Sequence, residues 1–463
     1  MLLKKVYQVS KKGKEETPRL FLQHLVCEAA GFIPGNKLKI SLEEQKIIIE
    51  ETNCINPHNI SVSSRVNRTT GLRRPLVDTA KESYKEIIRV NEKVEVCVYH
   101  KKIVVQPLHF QLTDMATIPK RKDERISLLS VCAGGGIGTA SFVDTQYFTS
   151  IAEIELEEDC CEAIRHNFSS FIMNCDVRDI NVVPKVDVIN CTIPCNNFST
   201  LGDMEEATQI DLAIAVARII RAAEPEMIFF ENVPAFFKSR MYSDLKELIV
   251  DELPYWNEKN IEAYDYGSIA RRNRTYALAF RTKEAFLDFQ FPSPPRTIKR
   301  PKLKVFLDCK DTVHEWKDFK AWKKSFESRD AFKNRSLEKS FVTPDAKEIQ
   351  CILSRYRSHC ASNTYLLNED KTKWRFFSEA ELCRILSIPK WFTLPDTIPM
   401  TRRYEIIGQS VDCRVIKAIA NQIAKTFYKV KTVFKKGVNK VKEAINETFP
   451  ISMSENGQLS LGL

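Results

Sequence analysis

No stretch of this 463-residue sequence is long and apolar enough to cross a bilayer, which excludes a membrane-spanning protein, and no signal peptide is recognisable at its start. Its 14 cysteines include no C-x-x-C pair of the kind that holds zinc, so no metal site is expected. With neither a leader nor a disulfide framework, a reducing cytoplasm, bacterial or phage-infected, is the expected setting. What the chain does carry is positive charge, a net +10 with a pI near 8.8. Such an excess suits a phosphate-rich partner, although it also occurs in proteins that never meet a nucleic acid. The length leaves room for two or three domains.

The most informative segment is Pro194-Cys195-Asn196-Asn197-Phe198-Ser199, followed downstream by Phe230-Glu231-Asn232-Val233. The apolar run Val186 to Asn190 reads as a buried strand, Asp211 to Ala222 as an amphipathic helix, and Met227 to Phe230 as the next strand. Cys195 and Glu231 therefore follow successive strands of one parallel sheet, at the edge where open α/β folds gather their ligands. A thiolate of lowered pKa adds to C6 of a cytosine ring once N3 is protonated or hydrogen-bonded by a carboxylic acid, and the adduct is then nucleophilic at C5. Such a pair needs a methyl donor beside it.

Upstream, the strand Ile126 to Cys132 runs into Ala133-Gly134-Gly135-Gly136-Ile137-Gly138, and a helix is predicted from near Thr139. Glycines there let a cofactor approach the backbone. Glu155 closes the second strand, where an acid pairs with ribose hydroxyls, and Asp176 closes the third, where it accepts from an adenine amine. Both also suit plain helix N-terminal acids.

In this order the blocks resemble those of the DNA cytosine-C5 methyltransferases. The resemblance spans about Ser127 to Phe427 and implies a doubly wound, Rossmann-like α/β domain that uses S-adenosylmethionine on duplex DNA. It makes Cys195 the nucleophile and Glu231 the cytosine-binding acid, with Arg272 and Arg274, in Tyr266 to Arg274, as the arginines brought into the site. Cofactor contacts are implied at Cys132, Ala133, Gly134, Gly136, Glu155, Asp176 and Pro194. The block Gly408-Gln409-Ser410-Val411 is implied to return to that pocket through Gln409 and Ser410. The chain departs from the pattern at Asn196, Ala270, Ile137 and Gln409, none of which is a reacting group. Two rivals remain: a tRNA cytosine methyltransferase, and a non-enzymatic DNA-binding scaffold on the same fold. Nothing resembles a nuclease, so an unaccompanied, monomeric methyltransferase is expected.

The reading divides the chain into a β-rich region at 1–119, a catalytic region at 126–296, a variable target-recognition region at 297–372, a return to the catalytic domain at 373–428 and a basic tail at 429–463. The first contains a repeat: Pro34 to Ile40 followed by Lys46 to Ile49 recurs as Val90 to Val96 followed by Lys102 to Val105, at an offset of 93 − 37 = 56. Each copy reads as a β-hairpin that cannot bury its face alone, which predicts a pseudo-twofold unit similar to fused swapped-hairpin DNA-binding domains. The basic stretch Ser61 to Arg68 with Arg73-Arg74 reads equally as a phosphate contact or a solvated linker. The lysines from Lys299 to Lys324, with Phe319, Trp322 and Phe326 among them, suit a groove-facing surface or a small helical subdomain with an aromatic core, the second being the expected duty of Trp322. The ending Gln458 to Leu463 resembles the peptide that docks on the bacterial sliding clamp; an unstructured end is the alternative. The remaining cysteines, Cys160, Cys161 and Cys191 among them, read as small buried hydrophobes.

Overall fold

The structure, a computed structural model, describes residues 2–13, 16–54, 56–66, 71–107, 115–119, 124–194, 206–308, 315–328, 338–360, 362–448, 451–453 and 459–461. Its centre is a 13-stranded sheet. Strand Ile126–Val131 is buried along its whole length, as a strand covered on both faces must be. It pairs in parallel with Phe148–Glu155 on one side and Val188–Cys191 on the other. Taking the seven catalytic strands in chain order, their spatial order is third, second, first, fourth, fifth, seventh, sixth, and the seventh, Asn273–Phe280, runs antiparallel to its neighbours. The chain reverses its direction of travel across the sheet beside the first strand, and the crevice at that switch point is where ligands of open α/β sheets lie.

Helices cover both faces. On one, the helix Glu206–Ala223 packs through Ala213, Val216, Ile219 and Ile220 against Leu129, Ile189 and Ile228. On the other, the 36-residue helix Cys413–Thr448 lays Val415, Ile416, Ile419 and Ile423 over Leu128, Phe142 and Phe229. Cys160, Cys161 and Cys191 are buried filler in this scaffold.

The N-terminal region is not a separate bead. Strand Leu3–Gln8 pairs in parallel with catalytic strand Phe171–Asn174 and, on its other edge, with Lys93–Tyr99, so the catalytic sheet continues into the repeat. Both repeated hairpins form, Lys37–Glu43 with Lys46–Glu51 and Lys93–Tyr99 with Lys102–Pro107, and their second strands pair antiparallel. Ile48 faces Val104, and 104 − 48 = 56, so the two residues are equivalent in the repeat and lie on the pseudo-twofold axis. A second, four-stranded sheet is built by Ser10–Lys12, Thr17–Leu22, Arg73–Ala80 and Ser63–Val66. Ser63–Val66 and Arg73-Arg74 are thus paired strand residues rather than a linker, with Arg65 opposite Arg74, while residues 67–70 lie outside the described residues.

Among the described residues, the variable region is a small sheet with one α-helix rather than a helical subdomain. Lys317–Asp318, Lys373–Arg375, Tyr365–Leu367 and Phe341–Val342 form four short strands against the helix Phe319–Glu327. Trp322 lies 4.4 Å, ring to ring, from the fully buried Trp374 and edge-on to Tyr365 and Phe341, so it is core, as expected. That packing also draws Lys373–Arg375, assigned by sequence to the catalytic return, into the small sheet. In the tail, Leu459–Leu461 pairs antiparallel with Ile451–Met453, while Gln458, Gly462 and Leu463 lie outside the described residues.

Candidate active site

The first strand ends at Val131, and the chain turns through Cys132, at a positive φ of 55°, and through Gly134 and Gly136 at φ 56° and 85°, a region where a side chain is strained. The helix Ile137–Val143 follows, two residues earlier than the Thr139 start expected. Glu155, at the end of the second strand, folds back onto this loop. Its carboxylate accepts from the backbone N–H of Gly134 at 2.7 Å and of Glu157 at 2.9 Å. Burial raises the Glu155 carboxyl against those hydrogen bonds. Beyond the third strand, Asp176 accepts from the backbone and side chain of Arg178, with a 2.7 Å ion pair. Burial acts to raise the Asp176 carboxyl, but Arg178, with the field of Lys93, prevails and holds it below the ordinary range.

These residues fit an adenosyl cofactor on three observations. A Cβ at Gly134 would meet nothing within 4 Å, so the loop borders open space. Two acids at adjacent strand ends supply acceptors for hydroxyl and amine groups. Leu156, directly after Glu155, is 58% exposed and offers an apolar surface beside them. Sequence reading passed over Leu156; the signal available was a lone apolar residue between Glu155 and Glu157 at a strand end.

The second half of the site lies on the fourth and fifth strands, where Cys191 is in register with Phe230. Glu231 is the next residue of its strand after Phe230, and the chain leaves Cys191 through Pro194 at the same end of the adjacent strand; Cys195 itself lies outside the described residues. Asn232 donates its side-chain amide to the carbonyl of Ile193 at 2.9 Å, which ties the two loops together two residues before Cys195. Sequence reading quoted Asn232 within its block without giving it this task. Pro194 is exposed at the last described position before the loop.

The two arginines diverge. Arg274 Nε lies 3.2 Å from Glu231 Oε1, and burial raises the Glu231 carboxyl despite the opposing fields of Arg274 and Arg272. Arg272 is buried and turns toward the C-terminal segment instead, donating to the carbonyls of Ile352 at 3.0 Å, Gly408 at 3.2 Å, and Ser410. The alternation that placed both on one strand face does not hold for their head groups, because Arg272 precedes the strand Asn273–Phe280 and is captured by carbonyls that end the helix Met400–Gln409. That helix seats on the glycine loop: a Cβ on Gly135 would collide with Ile406, and one on Gly408 with the backbone at Leu353. The Ser410 hydroxyl donates to Ile407, and Gln409 is exposed.

A seven-strand α/β sheet with its last strand reversed, a glycine turn after the first strand and acids closing the next two define the class of cofactor-dependent methyltransferases. Residues 126–425 match the pattern of the C-5 cytosine-specific DNA methylases, and the protein belongs to that family: it is a DNA (cytosine-5)-methyltransferase whose methyl donor is S-adenosylmethionine. It is 27% identical over 319 residues to the type II methyltransferase M.Bsp6I of Bacillus sp. (strain RFL6), covering 65% of this chain and 99% of that protein. Its identity to the type II methyltransferase M.HhaI of Haemophilus parahaemolyticus is 27% over 268 residues, 54% of this chain and 79% of that one. Among solved structures, the Entamoeba histolytica methyltransferase EhMeth superposes with a TM-score of 0.53 at 17% identity, covering 66% of this chain and 99% of its own. The S. pombe Dnmt2 methyltransferase superposes with a TM-score of 0.50 at 14% identity, covering 65% and 99%. Residues 1–125 lie outside the family match. No helix among the described residues is long and apolar enough to cross a membrane.

Proposed function

We propose that the protein methylates C5 of a cytosine swung out of duplex DNA, through a transient bond between Cys195 and C6. Unstacking the base costs a few kcal/mol, which contacts to the DNA backbone must offset. Glu231, whose carboxyl burial raises above the ordinary range, donates its proton toward N3 and accepts from the exocyclic amine, while Arg274 is directed toward the base carbonyl. The Cys195 thiolate adds to C6, and the electron pair displaced from the C5–C6 bond makes C5 nucleophilic. S-adenosylmethionine, when bound, supplies the electrophilic methyl group at C5. A base, water in the simplest case, removes the C5 proton, and the C6–S bond breaks to restore the ring and the thiolate. Gly134, Gly136, Glu155 and Asp176 would hold the cofactor, with Leu156 packing against its flat ring.

The observation that carries this reading is the buried Glu231 carboxyl beside Arg274 at the edge from which the Cys195 loop departs. Bisulfite sequencing of a host expressing the chain reports activity and target site together. The expected outcome is methylated cytosine with the parent and none with Cys195→Ala, which retains binding of DNA and cofactor; full activity of that variant overturns the mechanism. Trapping with 5-fluorocytosine DNA gives a covalent species through Cys195, and methyl transfer to tRNA in place of duplex DNA would move the substrate assignment.

The exposed Lys11, Lys12, Arg65 and Arg73 all belong to the four-stranded N-terminal sheet. They support a role for that sheet as a second contact with the duplex backbone.

A further inference from the structure

The segment that follows Asp176 packs its apolar side chains Val177, Ile180 and Val183 into the catalytic core, but its polar groups are held by the N-terminal region, which the family match does not include. Lys93 binds Asp179 with both carboxylate oxygens, at 2.7 and 2.8 Å. Asn181 sits between the buried Lys4 and Glu95, which form a 2.8 Å ion pair, and hydrogen-bonds to each of them. Strand Ala116–Ile118 then pairs in parallel with Val182–Pro184, and Ala116 donates its N–H to Asn181 at 2.9 Å. The other acid-bearing loop is held from the same side: Lys5 reaches Glu158 at 3.1 Å, three residues after Glu155.

The turn Val177–Asp179 carries Asp176 as its N-cap, and Asp179 donates its backbone N–H to the Asp176 carbonyl at 2.9 Å, so the two acids share one turn. Asp179 is buried, and Lys93, half-exposed, is the cation that reaches it from the repeat. A buried carboxylate whose cation is removed either moves toward water or takes up a proton, and each response disturbs a one-turn helix of three residues.

We propose that Lys93 is a positioning residue for cofactor binding: by fixing Asp179 it sets the orientation of Asp176, so the N-terminal repeat forms an outer wall of the S-adenosylmethionine site. The inference rests on the reading that Asp176 contacts the cofactor. It predicts that cofactor affinity depends on a residue 83 positions upstream of Asp176 in sequence (176 − 93 = 83), in a region outside the family pattern.

The test uses the full chain and two readouts, calorimetric binding of S-adenosylhomocysteine and steady-state methyl transfer. Lys93→Met should weaken binding and raise the KM for S-adenosylmethionine about threefold to fivefold, with kcat at saturating cofactor within about twofold. Lys93→Arg should restore binding, and Asp179→Asn should reproduce the defect without adding to it in the double variant. Lys102→Met, which removes an exposed pair with Glu50 in the same sheet, should change neither readout. Unaltered binding by Lys93→Met overturns the inference, as does a defect in which kcat and KM worsen together with the melting temperature. Asp176→Asn separates the two readings: if it weakens binding while Lys93→Met does not, the cofactor assignment stands and the positioning role falls. If Asp176→Asn has no effect, the cofactor assignment and the inference fall together.

Discussion

Arg274 and Glu231 face each other at 3.2 Å across neighbouring antiparallel strands, and the carboxyl nonetheless stays above its ordinary range because burial outweighs the arginine's field. The raised direction favours the protonated carboxyl, which is a hydrogen-bond donor, and a cytosine N3 needs one.

The first prediction follows from that direction. A group whose folded pKa is raised binds its proton more tightly in the folded state, so its stabilising contribution is complete below the unfolded value and is lost as pH rises through the folded one. Activity follows the same proton: kcat should decline as pH rises through the raised pKa of Glu231. Glu231→Gln should lower kcat by about 100-fold or more while melting no lower than the parent at pH 8. A pH–rate profile and a melting curve on the two proteins check both statements.

The arginines should separate by phenotype. Arg274→Ala should lower kcat with little change in melting temperature, because its head group lies at the reacting edge. Arg272→Ala should instead cost about 3 kcal/mol of stability, since it strips a forked charged donor from the carbonyls of Ile352, Gly408 and Ser410. Arg272→Lys, without the planar fork, should recover only part of it. Denaturant unfolding beside steady-state kinetics distinguishes the two roles.

How far the sequence could be read depended on the range of the interactions involved. Local signals were sufficient for the catalytic strands: the buried run at Val186, the glycine turn at Gly134 and the acids at Glu155 and Asp176 all depend on residues within one turn or strand. The repeat was legible because Lys37 to Ile40 and Lys93 to Val96 carry the same alternation, each followed at the same distance by an apolar run, Ile47 to Ile49 and Ile103 to Val105. What the sequence did not disclose is long-range. Nothing local distinguishes Arg272 from Arg274, and their fates are decided by carbonyls 80 to 138 residues away. Continuity of the N-terminal sheet with strand Phe171–Asn174 depends likewise on a pairing that neither segment encodes alone. Trp322 was read correctly as core, but its sheet partners come from three short strands too brief to show a period.

Duplex binding through the N-terminal sheet has a quantitative signature. If Lys11, Lys12, Arg65 and Arg73 each neutralise a phosphate, the slope of log affinity against log salt should become shallower by about 0.9 for each one changed to glutamine. The four-fold variant should therefore lose affinity mostly at low salt and keep its target sequence. A slope unchanged within error would remove this sheet from the DNA interface.

The junction between the N-terminal region and the catalytic helix Glu158–Asn167 should be sensitive to acid. Glu162 is buried there and accepts from Arg74 at 2.5 Å and from Thr397, with His24 Nε2 at 3.5 Å. Burial alone would raise its carboxyl, but hydrogen bonds from His24, Thr397 and Arg74 outweigh that and bring it down to about 2. For a depressed carboxyl, the stabilisation is present above the unfolded value, near 4.3 for a glutamate, and is lost as pH falls toward 2. The shift corresponds to roughly 3 kcal/mol over that window. Glu162→Gln should therefore lower stability at pH 7, have progressively less effect below pH 4, and flatten the acid limb of the stability curve. Because His24 lies between Glu162 and Glu158, three residues after Glu155, the same variant should weaken S-adenosylhomocysteine binding at pH 7. Urea unfolding between pH 2.5 and 7, with parent and variant side by side, tests the sign: curves that converge at high pH instead of low would show that Glu162 is not held ionised by this cluster.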